Sequence, residues 1–234
     1  MNAPRTQRGA RTKANLLEAA EQVFAEVGYQ TASIARITDR AGVAQGTFYL
    51  YFASKLDLFE QLVDDLNRRV RKAMSDGAAR GRDRAEAEAE GFRAFFAFTA
   101  EHPALYRVVR EAEYVAPGAM QRHYERIVAG YREGLERARV AGEIADIDPE
   151  VAAWALMGIG EMIGMRYVLW PTAEHGPYGS GATTVPDHVF AEMVALVQRA
   201  LGAPATAGAP AGGDASQPQP DPQPQPDPQP QEEP

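Results

Sequence analysis

The sequence contains no cysteine among its 234 residues, which excludes disulfide bonds, thiolate metal sites and cysteine nucleophiles. Histidine is also scarce, with four residues at positions 102, 123, 175 and 188. Neither a His-Glu-x-x-His zinc motif nor a glycine-rich phosphate loop accompanies them. The sequence therefore predicts no metal site, no cofactor and no catalytic residue, and it disfavours an enzyme.

Long apolar runs are missing as well. The most apolar stretch, residues 152–170, is interrupted by Glu161 and Arg166, which disfavours a membrane span. The first residues are too polar for a signal peptide. We expect a soluble, cytoplasmic protein with no membrane partner, and the lack of cysteine suits a reducing cytosol.

The charge is unevenly distributed along the chain. Its net value is −8, but residues 1–55 hold seven basic and four acidic side chains, which leaves +3 there and −11 in the remainder. A basic end on an acidic body would orient the molecule on DNA, because phosphate attracts one end and repels the other. The distribution favours nucleic acid as the partner of the amino-terminal end.

The last segment, residues 203–234, contains ten of the chain's 17 prolines and no large apolar side chain. Because such a segment cannot build a packed interior, it predicts a disordered, acidic tail rich in proline and glutamine. Two interpretations stay open, an inert solubilising tail and a proline-rich ligand for a partner protein.

Helical periodicity dominates the rest of the chain and predicts an all-α fold. A glycine-rich loop is expected at 172–184, and the break at 76–81 is expected to separate a four-helix head from a larger helical body. The predicted helices span about 11–27, 33–41, 45–52, 54–74, 84–101, 103–115, 120–141, 149–169 and 187–201.

Local signals mark several of the helix ends. Gly28 is expected to end the first helix, and Ser33 to cap the second. Ser54 and Asp57 have the spacing of a capping box at the start of the fourth helix. Asp148 followed by Pro149 is a clear helix start, with a capping acid and proline at the first helical position.

The second and third helices are short and joined by Gly42-Val43-Ala44, the geometry of a helix-turn-helix. Spacing alone is weak support, since bent helix pairs occur in many bundles. Phe48 and Phe52 share one helix face and are expected to anchor the third helix in the core. The exposed side is then polar and aromatic, with residue types that suit phosphate oxygens and base edges, namely Gln45, Thr47, Tyr49 and Tyr51. Gly46 would let the helix approach DNA closely, or it serves only helix packing.

The stretch TASIARITDRAGVAQGTFYLYFASKLDLF at residues 31–59 resembles the DNA-binding domain of the TetR (tetracycline-repressor) family. The resemblance covers about residues 11–59, and the body fits the family only in length and helix count. It implies a symmetric homodimer that binds a double-stranded DNA operator, with Lys55 on phosphate and further phosphate contacts from Ser33 and residues 8–13. Ala44 departs from the family pattern where a capping residue is common, and Leu50 where a polar residue is common.

With this resemblance the chain divides into a disordered basic arm at 1–10, a helix-turn-helix DNA-binding domain at 11–59, a ligand-binding and dimerisation domain at 60–202 and the tail at 203–234. The implied function is a transcriptional repressor released from its operator by a small-molecule effector. The alternative is an adaptor of the same fold that stays on DNA and recruits a partner protein, which only the tail supports.

The resemblance also places the dimer interface on the helices at 149–169 and 187–201, where Gly158, Gly160 and Gly164 would let a second helix approach. Two stretches, 102–111 and 160–170, are similar to a subgroup that senses acyl- or aryl-coenzyme A thioesters, with Arg107, Arg110 and Arg166 as candidates to meet the ligand's phosphates. An aromatic and methionine stripe at helical spacing is more often core packing than a pocket, and ion pairing is the more common role of the charged candidates. The candidate ligand residues are Phe95, Tyr106, Arg107, Arg110, Trp154, Met157, Glu161 and Arg166.

Overall fold

The computed structural model describes residues 6–170 and 185–202, so the predicted glycine-rich loop and the predicted tail lie outside the described residues. Within these two ranges all regular structure is helical, which confirms the all-α prediction. The elements in chain order are α1 (Gln7–Thr31), α2 (Ile34–Arg40), α3 (Gln45–Phe48), α4 (Lys55–Ala78), α5 (Arg84–Glu101), α6 (Ala104–Val115), α7 (Pro117–Ala141), α8 (Pro149–Gly164), a π-helical extension of α8 (Met165–Leu169) and α9 (Asp187–Ala200).

Helix α1 begins earlier than the sequence predicted. The Thr6 hydroxyl accepts a hydrogen bond of 3.1 Å from the backbone N–H of Gly9, and this cap starts the helix at Gln7. The expectation of a disordered arm up to residue 10 was therefore wrong for residues 7–10. The reason is a threonine cap that lies just before a run of polar residues without an apolar stripe.

Gly28 ends the long part of α1, as predicted. Its φ of 75° and ψ of 167° are not helical, and one more helical turn follows to Thr31. The kink directs the backbone N–H of Tyr29 to the Glu111 carboxylate of α6 at 2.9 Å. Glycine is required here for its positive φ, and a Cβ atom at residue 28 would also lie 2.7 Å from a Glu111 oxygen and displace that carboxylate.

The head and the body share one apolar core. Phe24, Phe48 and Phe59 of the head are fully buried in a cluster that also contains Leu105 and Val108 of α6. The break at 76–81 is therefore not a seam between two units, because α4 continues to Ala78 and packs closely along α5. A second cluster joins α5, α7, α8 and α9 within the body.

A polar bridge fixes α1 against the body. The Arg69 guanidinium of α4 lies 2.9 Å from the buried Glu21 carboxylate of α1 and 2.9 Å from the His102 ring. His102 Nδ1 is also 3.1 Å from the second oxygen of Glu21. Because all three groups satisfy one another, the head is held to the body by hydrogen bonds as well as by apolar packing.

Candidate DNA-binding surface and ligand cavity

The candidate recognition surface begins at the start of α2. The Ser33 hydroxyl is exposed and accepts a hydrogen bond of 3.2 Å from Arg36 N–H, which confirms the predicted cap. On the other side of the helix, the Ile37 side chain is buried in the core of the head. Gly42, with φ of 66°, turns the chain sharply into α3.

Helix α3 is anchored as predicted but is shorter than predicted. The Phe48 and Phe52 side chains are buried, with ring centroids 5.4 Å apart. The α-helix ends at Phe48, because the next N–H groups, of Leu50 and Tyr51, bond to carbonyls three residues back and tighten the turn. The Ala44 side chain caps nothing, as its departure from the family pattern predicted.

The exposed face of this segment holds most of the predicted DNA-contacting residues. Gln45 and Gly46 are exposed, and the side chain of Tyr49 is 56% accessible. Thr47 is half-buried, and Tyr51 packs partly against the head core, so Tyr51 is less available than the sequence suggested. Leu50 is also exposed, at 67%.

Lys55, the predicted phosphate contact, is partly exposed and bonds to the backbone of the same chain. Its ammonium group donates to the carbonyls of Tyr29 at 2.7 Å and Ala32 at 2.8 Å, and it lies 4.3 Å from the centroid of the Tyr29 ring. Burial lowers its pKa. Lys55 thus caps the carboxyl end of α1, where the helix dipole favours a cation, and its contact with phosphate stays a prediction.

We expect Lys55→Met to lower the free energy of unfolding by about 1–3 kcal/mol, because two carbonyls lose a charged donor. Lys72→Met serves as the control. Lys72 is 73% exposed in its pair with Asp76, and its loss should cost less than about 0.5 kcal/mol. Urea unfolding of the variants at one protein concentration measures both values, and equal losses would contradict the structural role of Lys55.

The glycines of α8 do not share one role. Gly160 faces the Phe92 ring, and Gly164 faces Tyr106 and two other aromatic rings. The prediction that these glycines let another helix approach is confirmed for these two, and the helices that approach are α5 and α6 of the same chain. Gly158 is exposed, and a Cβ atom there would meet no other atom within 4 Å.

A cavity of about 50 Å³ lies inside the body between α4, α5, α6, α7 and α8. It is mostly apolar, and five of the eight predicted ligand residues line it, namely Phe95, Tyr106, Arg110, Met157 and Glu161. Its volume is small compared with the roughly 300–1,000 Å³ of typical ligand pockets, so a ligand must displace side chains to enter.

The polar groups of the cavity gather around Glu161. Tyr124 donates its hydroxyl to a Glu161 carboxylate oxygen at 3.1 Å, and Tyr106 donates to the Glu161 backbone carbonyl at 3.0 Å. Burial raises the pKa of both phenols, with the Glu161 charge contributing in the same direction. Both hydroxyls therefore stay protonated and act as donors.

Three predicted ligand residues lie away from the cavity. Arg107 donates to the backbone carbonyl of Ala25 in α1. Trp154 is 44% exposed on α8, and Arg166 is exposed with its guanidinium 5.2 Å from the centroid of the Tyr167 ring. Whether these side chains reach the cavity depends on which faces of α6 and α8 pack against the neighbouring helices. The local sequence does not determine those faces.

Sequence reasoning missed the cavity residues of α4 and α7. Met74, His123, Ile127 and Tyr131 line the cavity, although their helices are far apart in the chain. His123 is the most distinctive of them. Its backbone carbonyl accepts from the Asn67 side chain at 2.9 Å, and its Nδ1 lies 3.2 Å from the same nitrogen. Burial, helped by the nearby Arg126 charge and opposed by Asp64, lowers the pKa of His123 to about 4.

We expect His123 to make the protein less stable as the pH falls. Between its folded pKa of about 4 and its ordinary value of 6.5, the unfolded chain binds a proton at this site that the folded chain excludes. The free energy of unfolding should therefore fall by up to about 3 kcal/mol from pH 7 to pH 4 on account of this residue. His123→Gln should flatten this part of the pH profile, whereas the exposed His188→Gln should leave it unchanged; equal slopes in all three proteins would contradict the account.

The described residues bear on two other classes of protein, metalloproteins and membrane-spanning proteins. Among the residues that the structure describes, no group of three His, Asp or Glu side chains is placed to hold a metal ion. Within the same ranges, no helix combines the length and the apolar character that crossing a membrane requires.

Comparisons with known proteins agree with this geometry. The family model for bacterial regulatory proteins of the tetR family matches residues 16–62. The transcriptional activator FasR of Mycolicibacterium smegmatis is 37% identical over 116 residues, which cover 48% of this chain and 49% of FasR. The match thus spans about half the length of that relative.

Solved structures show the same fold over most of the chain. Salmonella enterica GusR aligns with a TM-score of 0.68 and 21% identity, covering 85% of this chain and 99% of GusR. The Bacillus subtilis regulator FadR in complex with stearoyl-CoA aligns with a TM-score of 0.65 and 20% identity, covering 79% of this chain and 96% of FadR.

The anchored α3 and its exposed face have the geometry of a helix-turn-helix DNA-binding domain, and they lie in the part of the chain that the family model matches. More particularly, residues 16–62 match the tetR family of bacterial regulatory proteins, and the fold is similar to that of the solved regulators GusR and FadR.

Proposed function

We propose that this protein is a DNA-binding transcriptional repressor whose α3 enters the major groove. The observation that carries the proposal is the contrast between the two sides of α3. Phe48 and Phe52 are buried on one side, while Gln45 and Tyr49 are exposed on the other. A polar side chain held on an anchored helix can reach base edges with a fixed geometry.

The basic start of α1 lies beside this surface. The Lys13 ammonium is 5.6 Å from the centroid of the Phe52 ring, which brings residues 8–13 close to the end of the recognition segment. Arg8 and Arg11 are exposed on the same part of α1. These cations and the exposed Ser33 are suited to contact phosphate on either side of the groove.

The proposal includes a homodimer formed through α8 and α9. Val151, Trp154 and Met162 of α8 are 63%, 44% and 55% exposed, and they follow a helical spacing that also includes Gly158. Leu196 of α9 is 50% exposed. Such an apolar face is typical of a subunit interface, and a dimer would present two α3 segments to successive major grooves.

The effector that we propose is an acyl- or aryl-coenzyme A thioester. The apolar cavity supports a ligand with an apolar chain, and the structural neighbour FadR was solved with stearoyl-CoA. The relative FasR bears the name of an activator, whereas we propose repression for this protein. A thermal-shift screen in which uncharged apolar compounds stabilise the protein and no acyl-coenzyme A does would contradict this ligand class.

We expect Gln45→Ala and Tyr49→Ala each to weaken binding to a DNA sequence selected from a random double-stranded library by about 5- to 100-fold. The loss arises because each variant removes a side chain from the exposed face of α3 and leaves its buried anchor unchanged. Fluorescence anisotropy at constant salt measures the affinity.

Matched variants in the body control for changes in size and polarity. Tyr114 of α6 is 84% exposed and Gln121 of α7 is also exposed, so Tyr114→Ala and Gln121→Ala should bind as the wild type does. If both α3 variants bind the selected DNA as tightly as the wild type does, the exposed face of α3 is not the DNA-binding surface.

A further inference from the structure

A second, larger cavity lies next to the apolar one. It has a volume of about 540 Å³ and lies between α4, α5 and α7. We name it the basic cleft, because its charged lining comprises Arg68, Arg71, Lys72, Arg84 and Arg137 against Glu88 and Glu133. Five cations and two carboxylates leave +3 on the lining of a chain whose net charge is −8.

Two of these cations lack a carboxylate partner within the described residues. Arg68 pairs with Asp65, and Lys72 pairs with Asp76, and neither acid lines the cleft. Arg71 and Arg137 form no ion pair with any residue in the described ranges, and both are exposed. Exposed arginines that converge on a concave surface are suited to bind phosphate through paired N–H donors.

A buried ion pair, Arg84–Glu88, lines the basic cleft, and its hydrogen bonds are incomplete. Arg84 bonds to Glu88, whose exposure is only 4%. Nonetheless, Arg84 Nε and Glu88 Oε2 have no hydrogen-bond partner, and burial lowers the pKa of Arg84. Gly134 makes room for this guanidinium, because a Cβ atom there would lie 2.6 Å from Arg84 Nη1. Keeping such a pair unsatisfied is costly unless a ligand or solvent completes its bonds.

The basic cleft and the apolar cavity adjoin each other. Met74, Ile127 and Tyr131 line both, so these three side chains form the wall between them. Methionine is the most adaptable apolar side chain, and a change in the Met74 rotamer would open a path across the wall. A molecule with a charged end and an apolar end could then occupy both spaces.

DNA does not account for the basic cleft. Arg71 lies sixteen residues after Lys55 on the same helix, a distance of about 24 Å along its axis. The cleft therefore faces a different region from the α3 surface, and a DNA duplex bound at α3 would not explain its charge.

From these observations we infer that the basic cleft binds the phosphate groups of an anionic amphiphile whose apolar chain enters the cavity beside it. The inference rests on the proposed effector class and names the site of its head group. For an acyl-coenzyme A thioester, Arg71 and Arg137 hold the phosphates, and the acyl chain passes Met74 toward Phe95. The head group is thus assigned to α4 and α7 instead of to Arg107 and Arg166.

The test compares two double variants that remove the same charge. Arg71→Gln/Arg137→Gln removes the two unpaired arginines of the cleft, and Arg122→Gln/Arg132→Gln removes two exposed arginines that line neither space. Calorimetry on the full chain uses palmitoyl-coenzyme A below its micelle concentration, coenzyme A and palmitate. The cleft variant should bind palmitoyl-coenzyme A about tenfold or more weakly, lose coenzyme A binding and keep palmitate binding, while the control matches the wild type.

A steric variant tests the same site without changing charge. Gly130 lines the basic cleft, and a Cβ atom there would meet nothing within 4 Å, so Gly130→Trp can place a ring in the cleft. It should block both coenzyme A compounds and spare palmitate, whereas Gly130→Ala should bind all three as the wild type does.

The outcomes separate this inference from the proposed function. Undiminished palmitoyl-coenzyme A binding in both cleft variants, or an equal loss in the control double variant, overturns the head-group site and leaves the effector class standing. Palmitate binding to the wild type without binding of either coenzyme A compound overturns the inference but keeps an apolar effector. No binding of any of the three molecules overturns both.

Discussion

The contact between α1 and α6 is the constraint on which the rest of the structure depends. On one side of α6, Arg107 donates to the Ala25 carbonyl, and Glu111 accepts from the N–H of Tyr29 beside the kink at Gly28. Other α6 side chains line the apolar cavity. One helix therefore contacts both the part of the chain that carries the recognition surface and the space proposed for the effector, which gives a short physical connection between them.

This arrangement gives the proposed regulation a mechanical basis. The cavity is too small for an acyl chain as it stands, so a bound ligand must move Tyr106 or its neighbours on α6. A shift of α6 would act on α1 through the Glu111 and Arg107 bonds, while the Glu21–Arg69 bridge resists it from α4. Packed cores change by discrete steps, so a small displacement at the cavity can alter the spacing of two heads in a dimer.

Features that depend on neighbouring residues in the chain could be predicted from the sequence, and features that depend on tertiary contacts could not. The Ser33 cap and the buried Phe48–Phe52 pair follow from spacing along one helix, and the structure confirms them. The capping role of Lys55 could not be predicted, because nothing near it in the sequence shows that the carboxyl end of α1 lies within reach of its ammonium group. The cavity lining at Tyr131, and with it the basic cleft, was missed because it forms only when α4 and α7 pack together.

The central claim is that occupation of the body controls DNA binding by the head. Its most direct test is a titration of palmitoyl-coenzyme A into a preformed complex of the full chain with its selected DNA sequence, followed by fluorescence anisotropy. The account predicts that DNA is released over the concentration range in which calorimetry shows the protein becoming saturated with ligand. If palmitoyl-coenzyme A saturates the protein and the affinity for DNA does not change, the claim is contradicted.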